Sequence, residues 1–217
     1  GYSPTMPEHD FLNAKEMAQG MGVDHMIIET SELESDDFSK NPPDRCFHCK
    51  DELFGKIKQI ALSSGYSFVL DGSNLDDLDD WRPGRKAAAK HDIRSPLIEA
   101  GLRKNDIRRL SFELDLPTWN KPSSPCLSSR FPYGEPITIE SLKKVESAES
   151  ILRSLGFKEL RVRHHNDIAR IELREKDIQK MLDPEIRRTV SQKLKALGYK
   201  FVSLDLEGFK SGRLNIK

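Results

Sequence analysis

Apolar and polar positions follow two different periods along the first part of the chain. After Pro7, apolar side chains recur with a helical period up to Met21, and the pattern predicts an amphipathic helix that nearby glycines end. HMIIET (25–30) and YSFVLDGSN (66–74) predict short buried strands. Helices are predicted at about 45–62, with Asp44 as the N-cap, and at about 103–114. This alternation predicts an α/β domain in which helices flank a parallel sheet.

The pattern changes at a stretch rich in proline and glycine near residue 134. TIESLKKVESAESILRSLGF predicts an amphipathic helix with Thr138 as its cap. Two strand-like runs follow, ELRVRHH and DIARIEL, then helices near 176–197 and a last strand, YKFVSLDL. We therefore expect two domains, 1–133 and 134–217, of which the second is a smaller α+β domain.

Composition narrows the class of protein. The chain has 217 residues, with 35 Lys and Arg against 35 Asp and Glu. This parity argues against a general electrostatic affinity for nucleic acid. The longest apolar runs fall well short of a membrane span. Three cysteines, two of them close together, do not suit a secreted disulfide framework, so we expect a reduced, cytoplasmic protein.

Two of the cysteines open a predicted helix. Cys46 and Cys49 are three positions apart in DRCFHCKDELF and would share a face of the first turn, where the helix dipole favours the thiolate. The pair alone is compatible with metal ligands, a redox pair or two ordinary buried cysteines. If Cys126 of SSPCLSSR joined them, three thiolates without a fourth would suit a [4Fe–4S] cluster with one open iron.

Two further patterns have both a functional and a plain structural interpretation. LDGSNLDDLDDWRPG (70–84) follows a predicted strand, and Asp76 and Asp80 could hold Mg²⁺ on nucleotide phosphates, or the segment could be a solvated turn. Arg161 and Arg163 fall on one face of a strand and could bind a phosphate or a carboxylate. The alternative is an exposed sheet face paired with acids such as Glu149.

Five ordered motifs resemble the LarE family, and the resemblance runs over nearly the whole chain. They are DGSNLDDLDDWRPG, SPLIEAGLRKNDIRRL, NKPSSPCLSSRFPYG, RVRHHNDIARIEL and DLEGFKSGRLN. The family comprises ATP-dependent sulfur transferases of the PP-loop (ATP pyrophosphatase, adenine nucleotide α-hydrolase) superfamily that make the nickel-pincer cofactor of lactate racemase. The resemblance implies that the family's PP-loop, of the type SGGxDS, and its leading strand would precede residue 1. We expect this chain alone to be inactive for that reason.

The resemblance also implies a reaction and its cofactors. A carboxylate of a pyridinium dicarboxylate mononucleotide would be adenylylated by ATP with Mg²⁺, and a sulfur nucleophile would then displace AMP. One branch of the family sacrifices a cysteine as the sulfur donor. Another holds a [4Fe–4S] cluster on three cysteines, and Cys46, Cys49 and Cys126 match that second pattern.

Roles for other residues follow from the same resemblance. It implies catalytic roles for Cys126, Ser129, Arg130 and Lys50, and a nucleotide-facing loop of Gly72, Ser73, Asn74 and Asp77. Arg161 and Arg163, with Glu149 close by, match the arginines that would bind the substrate phosphate. It further implies a homo-oligomer, a trimer or a hexamer. A PP-loop tRNA thiolase and a non-catalytic zinc-binding module stay open as alternatives.

Overall fold

The computed structural model describes residues 1–210, which form two compact units. The first unit contains residues 1–3, 24–38 and 42–125, and the second contains 4–23, 39–41 and the chain from Cys126 onward. In chain order the helices are α1 (Glu8–Gly20), α2 (Asp36–Ser39), α3 (Arg45–Ser63), α4 (Gly84–Lys90), α5 (Pro96–Glu99), α6 (Lys104–Glu113), α7 (Ile139–Ser154), α8 (Glu175–Met181) and α9 (Pro184–Ala196). The strands are β1 (Leu160–His165), β2 (Ile168–Leu173) and β3 (Phe201–Leu204), and short 3-10 helices lie at Glu32–Glu34, Leu75–Leu78 and Leu127–Arg130.

The first unit is organised around α3, whose predicted bounds are confirmed. Its buried residue Phe54 belongs to a small core with Val69, Ala87 and Ile93. Gly84, the first residue of α4, lets the two helices approach closely. A Cβ there would come within 2.6 Å of the Lys50 Cδ and 3.3 Å of the Cys46 carbonyl oxygen.

Within residues 1–210, the two predicted strands of the first unit appear only as isolated parallel bridges. One joins Tyr2 to Glu29 and the other joins Leu70 to Arg94. A strand requires neighbours for its peptide groups and its alternate side chains, and Phe68 is 63% exposed here. A parallel sheet in this unit therefore stays a prediction.

The second unit has the predicted helices and strands in a mixed three-stranded sheet of order β1-β2-β3. β1 and β2 are antiparallel, and β2 and β3 are parallel. One sheet face packs on α7, α8 and α9 and forms the main apolar core, which includes Val162, Ile171, Leu173, Leu152 and Leu194. None of the helices within residues 1–210 has the length and apolar character required to cross a bilayer.

A two-residue turn sets the register of β1 against β2. His165 pairs with Ile168, and between them Asn166 has φ = 51°, a left-handed conformation that Asn tolerates better than most residues. Arg161 then lies opposite Glu172, and Arg163 lies opposite Arg170. The charged residues of both strands consequently share the sheet face that does not contact the apolar core.

We expect Thr138→Ala to lower the free energy of unfolding by about 1 kcal/mol. The Thr138 side chain accepts a hydrogen bond from the Ser141 amide at 3.1 Å and caps α7, which carries much of the apolar core. Urea unfolding followed by circular dichroism measures the change. Thr138→Ser keeps the hydroxyl and is the control, and equal losses in both variants would contradict a capping role.

Candidate functional site

A buried charged layer lies on the second face of the sheet in the second unit and extends to Glu149 of α7, which binds β1 through the Val162 amide. Glu149 of α7 and Glu172 of β2 are both 0% exposed. A carboxylate without solvent needs cationic partners, because its desolvation costs several kcal/mol. Each of these two carboxylates is bound by the planar fork of an arginine.

Arg130 connects Glu149 to the segment that begins at Cys126. Its Nε and Nη2 donate to the two Glu149 carboxylate oxygens at 2.8 and 3.0 Å. Its Nη1 donates to the Cys126 carbonyl oxygen at 3.1 Å and to the Ser129 Oγ at 3.0 Å. One guanidinium therefore holds the short helix after Cys126 against α7.

Two further interactions help to keep Glu149 ionised. Arg153 donates to it at 2.8 Å from the next turn of α7, and the Val162 amide donates at 3.1 Å. Burial alone would raise the pKa of Glu149, but the charge and hydrogen bonds of Arg130, together with Arg153, outweigh it and lower the pKa. The carboxylate is thus a fixed anion at the centre of this layer.

Arg163 is arranged in the same way around Glu172. Its Nε and Nη2 donate to the two Glu172 oxygens at 3.0 and 2.9 Å, and its Nη1 donates to the Ser129 carbonyl oxygen. The Arg163 fork is therefore occupied by the protein, and its direct role here is to position Ser129. The sequence could not separate this arginine from Arg161.

Arg161 is the arginine that this layer leaves without a carboxylate. Arg161 is only 7% exposed, yet its guanidinium forms no ion pair within residues 1–210. Glu172 lies directly opposite Arg161 in the strand register, but its carboxylate is bound by Arg163. Burial, followed by the nearby charges of Arg130 and Arg163, lowers the pKa of Arg161 to about 10. An anionic ligand would relieve this uncompensated charge.

The Phe209 ring packs against the Arg161 guanidinium. Its ring centroid lies 4.7 Å from the Arg161 Cζ, a cation–π arrangement, and its amide donates to the Leu173 carbonyl oxygen at 2.7 Å. Gly208 makes this approach possible, because its φ is +68° and a Cβ there would lie 2.6 Å from the same carbonyl oxygen. Residues 211–215 of the motif DLEGFKSGRLN lie outside the described residues.

The layer as a whole has an excess of positive charge. Its arginines outnumber its carboxylates by five to four: Arg130, Arg153, Arg161, Arg163 and Arg170 against Glu149, Glu172, Asp205 and Asp10, whose charge acts on Arg130. Ser128, in the same short helix as Ser129, has a buried Oγ with no hydrogen-bond partner in the described chain. This composition suits the binding of a phosphate or carboxylate.

The three cysteines are distributed over both units. Cys46 and Cys49 lie near the start of α3 at a spacing that places them on one helical face, with Cys46 exposed and Cys49 half-buried. Cys126 belongs to the second unit, where it precedes the short helix Leu127–Arg130. Within residues 1–210, no group of three or more Cys, His, Asp or Glu side chains is gathered as a metal site. The pair fits part of a ligand set, and the three-cysteine set stays a prediction.

Lys50 follows Cys49 on α3 and lies against α4. Its Nζ is 5.4 Å from the centroid of the Phe54 ring, and its charge contributes to lowering the pKa of Asp71. Asp71 is half-buried. Burial opposes its ionisation, but hydrogen bonds from Ser95 and Ser73 outweigh this effect.

The loop predicted to face the nucleotide is held by its own side chains. Asn74 and Asp77 form a reciprocal capping box, in which the Asp77 Oδ2 accepts from the Asn74 amide at 2.9 Å. Ser73 donates to Asp71 at 2.7 Å, and Gly72 is exposed. These bonds agree with the plain structural interpretation, in which Asp and Asn satisfy backbone groups.

The two carboxylates considered for Mg²⁺ also have protein partners. Asp76 accepts from Arg103 at 2.6 Å and from the Lys104 amide at 2.8 Å, so it caps α6. Asp80 accepts from Arg82 at 3.2 Å. Magnesium binding at these positions stays untested.

Sequence reasoning missed three residues of the charged layer. Glu172 could have been found, because strand alternation places it on the same face as Arg170. Arg153 is four residues after Glu149 on one helix, a recognisable ion-pair spacing. Phe209 gives no signal of its own, since its position depends on the turn at Gly208.

Three curated proteins align with almost the entire chain, although no family model matches it. The pyridinium-3,5-bisthiocarboxylic acid mononucleotide synthase of Lactiplantibacillus plantarum is 41% identical over 213 residues, which are 98% of this chain and 76% of the relative. An uncharacterized protein of Synechocystis sp. is 43% identical over 98% of this chain and 80% of its own length. One from Methanocaldococcus jannaschii is 34% identical over 96% of this chain and 79% of its own length.

The α+β unit thus contains a charged layer in which one buried arginine lacks a carboxylate within residues 1–210, a composition suited to an anionic ligand. The extent of identity is specific enough to go further. The chain belongs to the LarE family, that of the L. plantarum mononucleotide synthase, a sulfur-inserting enzyme.

We expect Glu149→Gln to lower the free energy of unfolding by about 3–5 kcal/mol, because it leaves two arginines without their buried counter-charge. Since the pKa of Glu149 is lowered from 4.5, its stabilisation is complete above that pH and is lost as the pH falls through the folded-state pKa. Urea unfolding from pH 7 down to pH 3 measures both effects.

The control for that change is Glu140→Gln on the exposed side of the same helix. It should cost less than about 1 kcal/mol, the contribution of one carboxylate in a first helical turn. If both variants have the same stability and the same acid sensitivity, the buried pair does not stabilise the second unit.

Proposed function

We propose that the chain takes part in ATP-dependent insertion of sulfur into a pyridinium dicarboxylate mononucleotide, with Arg161 binding the substrate phosphate. The observation that carries the proposal is the buried Arg161 guanidinium without a carboxylate partner, in a layer with excess positive charge. Membership in the family of the L. plantarum enzyme supports the reaction class.

A mononucleotide phosphate would match the Arg161 guanidinium in charge. A guanidinium fork binds two phosphate oxygens at once, and the dianion compensates the charge that burial and two neighbouring arginines destabilise. Arg163 and Arg130 then act mainly on the protein side, because their forks are occupied by Glu172 and Glu149.

The proposed reaction has two steps. A substrate carboxylate oxygen attacks the α-phosphorus of ATP and releases pyrophosphate, so that AMP becomes the leaving group. A sulfur nucleophile then forms the new C–S bond as the C–O bond to AMP breaks, which leaves a thiocarboxylate. Asn74 and Asp77 would shape the loop on which Gly72 and Ser73 face ATP and its Mg²⁺, and Lys50 would contribute positive charge near Asp71 of the same unit.

The segment after Cys126 is proposed to be held in a fixed conformation for the sulfur step. Arg130 binds the Cys126 carbonyl and the Ser129 hydroxyl, and Arg163 binds the Ser129 carbonyl. Cys46, Cys49 and Cys126 would each supply a thiolate to a [4Fe–4S] cluster. When bound, a cluster with three protein ligands supplies an open iron position at which sulfur can be carried.

We expect Arg161→Gln to weaken binding of pyridinium-3,5-dicarboxylic acid mononucleotide by about tenfold to a hundredfold, the loss of charged hydrogen bonds to one ligand group. Isothermal titration calorimetry on the 217-residue chain measures the affinity. Arg161→Lys should recover only part of it, because an ammonium cannot bind two oxygens as a fork does.

Two controls separate phosphate binding from a general loss of structure. Arg109→Gln removes an exposed arginine and should leave the affinity unchanged. The corresponding nucleoside, which lacks the phosphate, should bind equally to the original chain and to Arg161→Gln. If Arg161→Gln weakens the nucleoside as much as the mononucleotide, Arg161 does not bind the phosphate.

We expect anaerobic reconstitution with iron and sulfide to give about four irons and four sulfides per chain. Cys46→Ser, Cys49→Ser and Cys126→Ser should each lower the iron content, and Ser128→Ala, two residues from Cys126, should not. Full iron retention in Cys126→Ser would exclude Cys126 as a ligand. Binding of zinc without sulfide would favour the alternative of a zinc-binding module.

A further inference from the structure

A second potential binding region of the second unit lies away from the charged layer, beside strand β3. A cavity of about 580 Å³ is bounded by β3, α9 and the end of α8. Its apolar wall includes Leu182, Val190, Val202 and Leu204, and its polar wall includes Arg187 and Arg188. Its volume falls within the range typical of ligand pockets.

The open edge of β3 faces away from the rest of the sheet. The Phe201 amide donates to the Asp167 carbonyl oxygen at 3.1 Å, and the Asp205 amide donates to the Ile171 carbonyl oxygen at 2.8 Å. Because the direction of backbone groups alternates along a strand, the peptide groups of Val202 and Leu204 point away from β2. Within residues 1–210, β3 pairs with no strand on that side.

This edge strand is short, with four residues, but it carries no protective charge or proline. Natural edge strands are commonly protected by charged side chains, proline or a bulge. The sequence of β3 is FVSL, without a charge or a proline, and Phe201 is 63% exposed. The edge is therefore suited to accept a further strand.

Arg187 and Arg188 in the cavity wall favour a strand with negatively charged side chains. In the second unit, Arg130, Arg153, Arg163, Arg170 and Arg174 all pair with carboxylates. Arg187 and Arg188 pair with no carboxylate within residues 1–210. A second copy of this chain related by a twofold axis is a poor occupant, because that contact would bring the same arginines of both copies together.

We propose that the β3 edge and its cavity bind an extended acidic segment of a partner protein by β-strand addition. The main chain of that segment would bond to the peptide groups of Val202 and Leu204. The side chains at every second position would face the cavity, and among these the apolar ones would enter it while the acidic ones would pair with Arg187 and Arg188. This surface provides for association with a partner without use of the Arg161 site.

Defined peptides test this proposal on the 217-residue chain. The probe is a fluorescent heptapeptide, Val-Thr-Glu-Thr-Val-Thr-Glu, whose Val and Glu side chains share one face of a strand, and fluorescence anisotropy measures its affinity. The same peptide with Lys in place of Glu, or with N-methylated amides on the pairing edge, should bind at least tenfold more weakly. On binding of the acidic peptide, hydrogen exchange at the Val202 and Leu204 amides should slow.

Matched charge reversals on α9 locate the site. Arg187→Glu with Arg188→Glu should weaken the acidic peptide at least tenfold. Lys193→Glu with Lys195→Glu changes the net charge equally on the same helix, outside the cavity wall, and should have little effect. Circular dichroism of both double variants checks that the fold is intact.

Three results would overturn the proposal. The first is a lack of saturable binding of the acidic peptide. The second is equal binding of the N-methylated peptide, which would indicate that the cavity binds a small amphipathic anion instead. The third is concentration-dependent self-association, measured by light scattering, that protects Val202 and Leu204 without any peptide. That result would assign the edge to a second copy of the chain.

Discussion

Two carboxylates without solvent determine how the second unit is built. Glu149 and Glu172 are charged and fully buried, so the structure around them must supply cationic partners with the correct geometry. Arg130 and Arg163 do so with bidentate forks, and the remaining donors of both forks bind the turn that contains Ser129. The same interactions that make burial of the carboxylates tolerable thus fix the segment after Cys126.

One guanidinium is left over from this arrangement. Arg161 lies opposite Glu172 in the strand register, but Arg163 occupies that carboxylate from the diagonal position. The surrounding arginines make its charged form less favourable, while Phe209 supports its side chain. A site that is held together by internal ion pairs therefore presents one uncompensated cation to a ligand.

The sequence predicts the parts of this fold that depend on local periodicity. The amphipathic pattern gave α3, α6 and α7 nearly their observed bounds, and strand alternation placed Arg161 and Arg163 on one face. The sequence could not show which of these two arginines binds Glu172. The Glu172 carboxylate is close to both in the strand register, so the pairing depends on the side-chain conformations. The acidic loop was ambiguous for a similar reason, since Asn74 and Asp77 can cap a turn or face a ligand. The parallel sheet depends on contacts distant in sequence, which periodicity cannot supply.

The length of the turn between β1 and β2 determines which side chains of the two strands face the charged layer. Because side chains alternate, insertion of one residue there would move Val162 and Leu160 to the charged face and Arg161 and Arg163 into the apolar core. Both faces would fail together, so this turn should tolerate substitution far better than any change of length. Over evolutionary time, insertions in this unit should therefore collect in other loops, while the two residues between His165 and Ile168 keep their number.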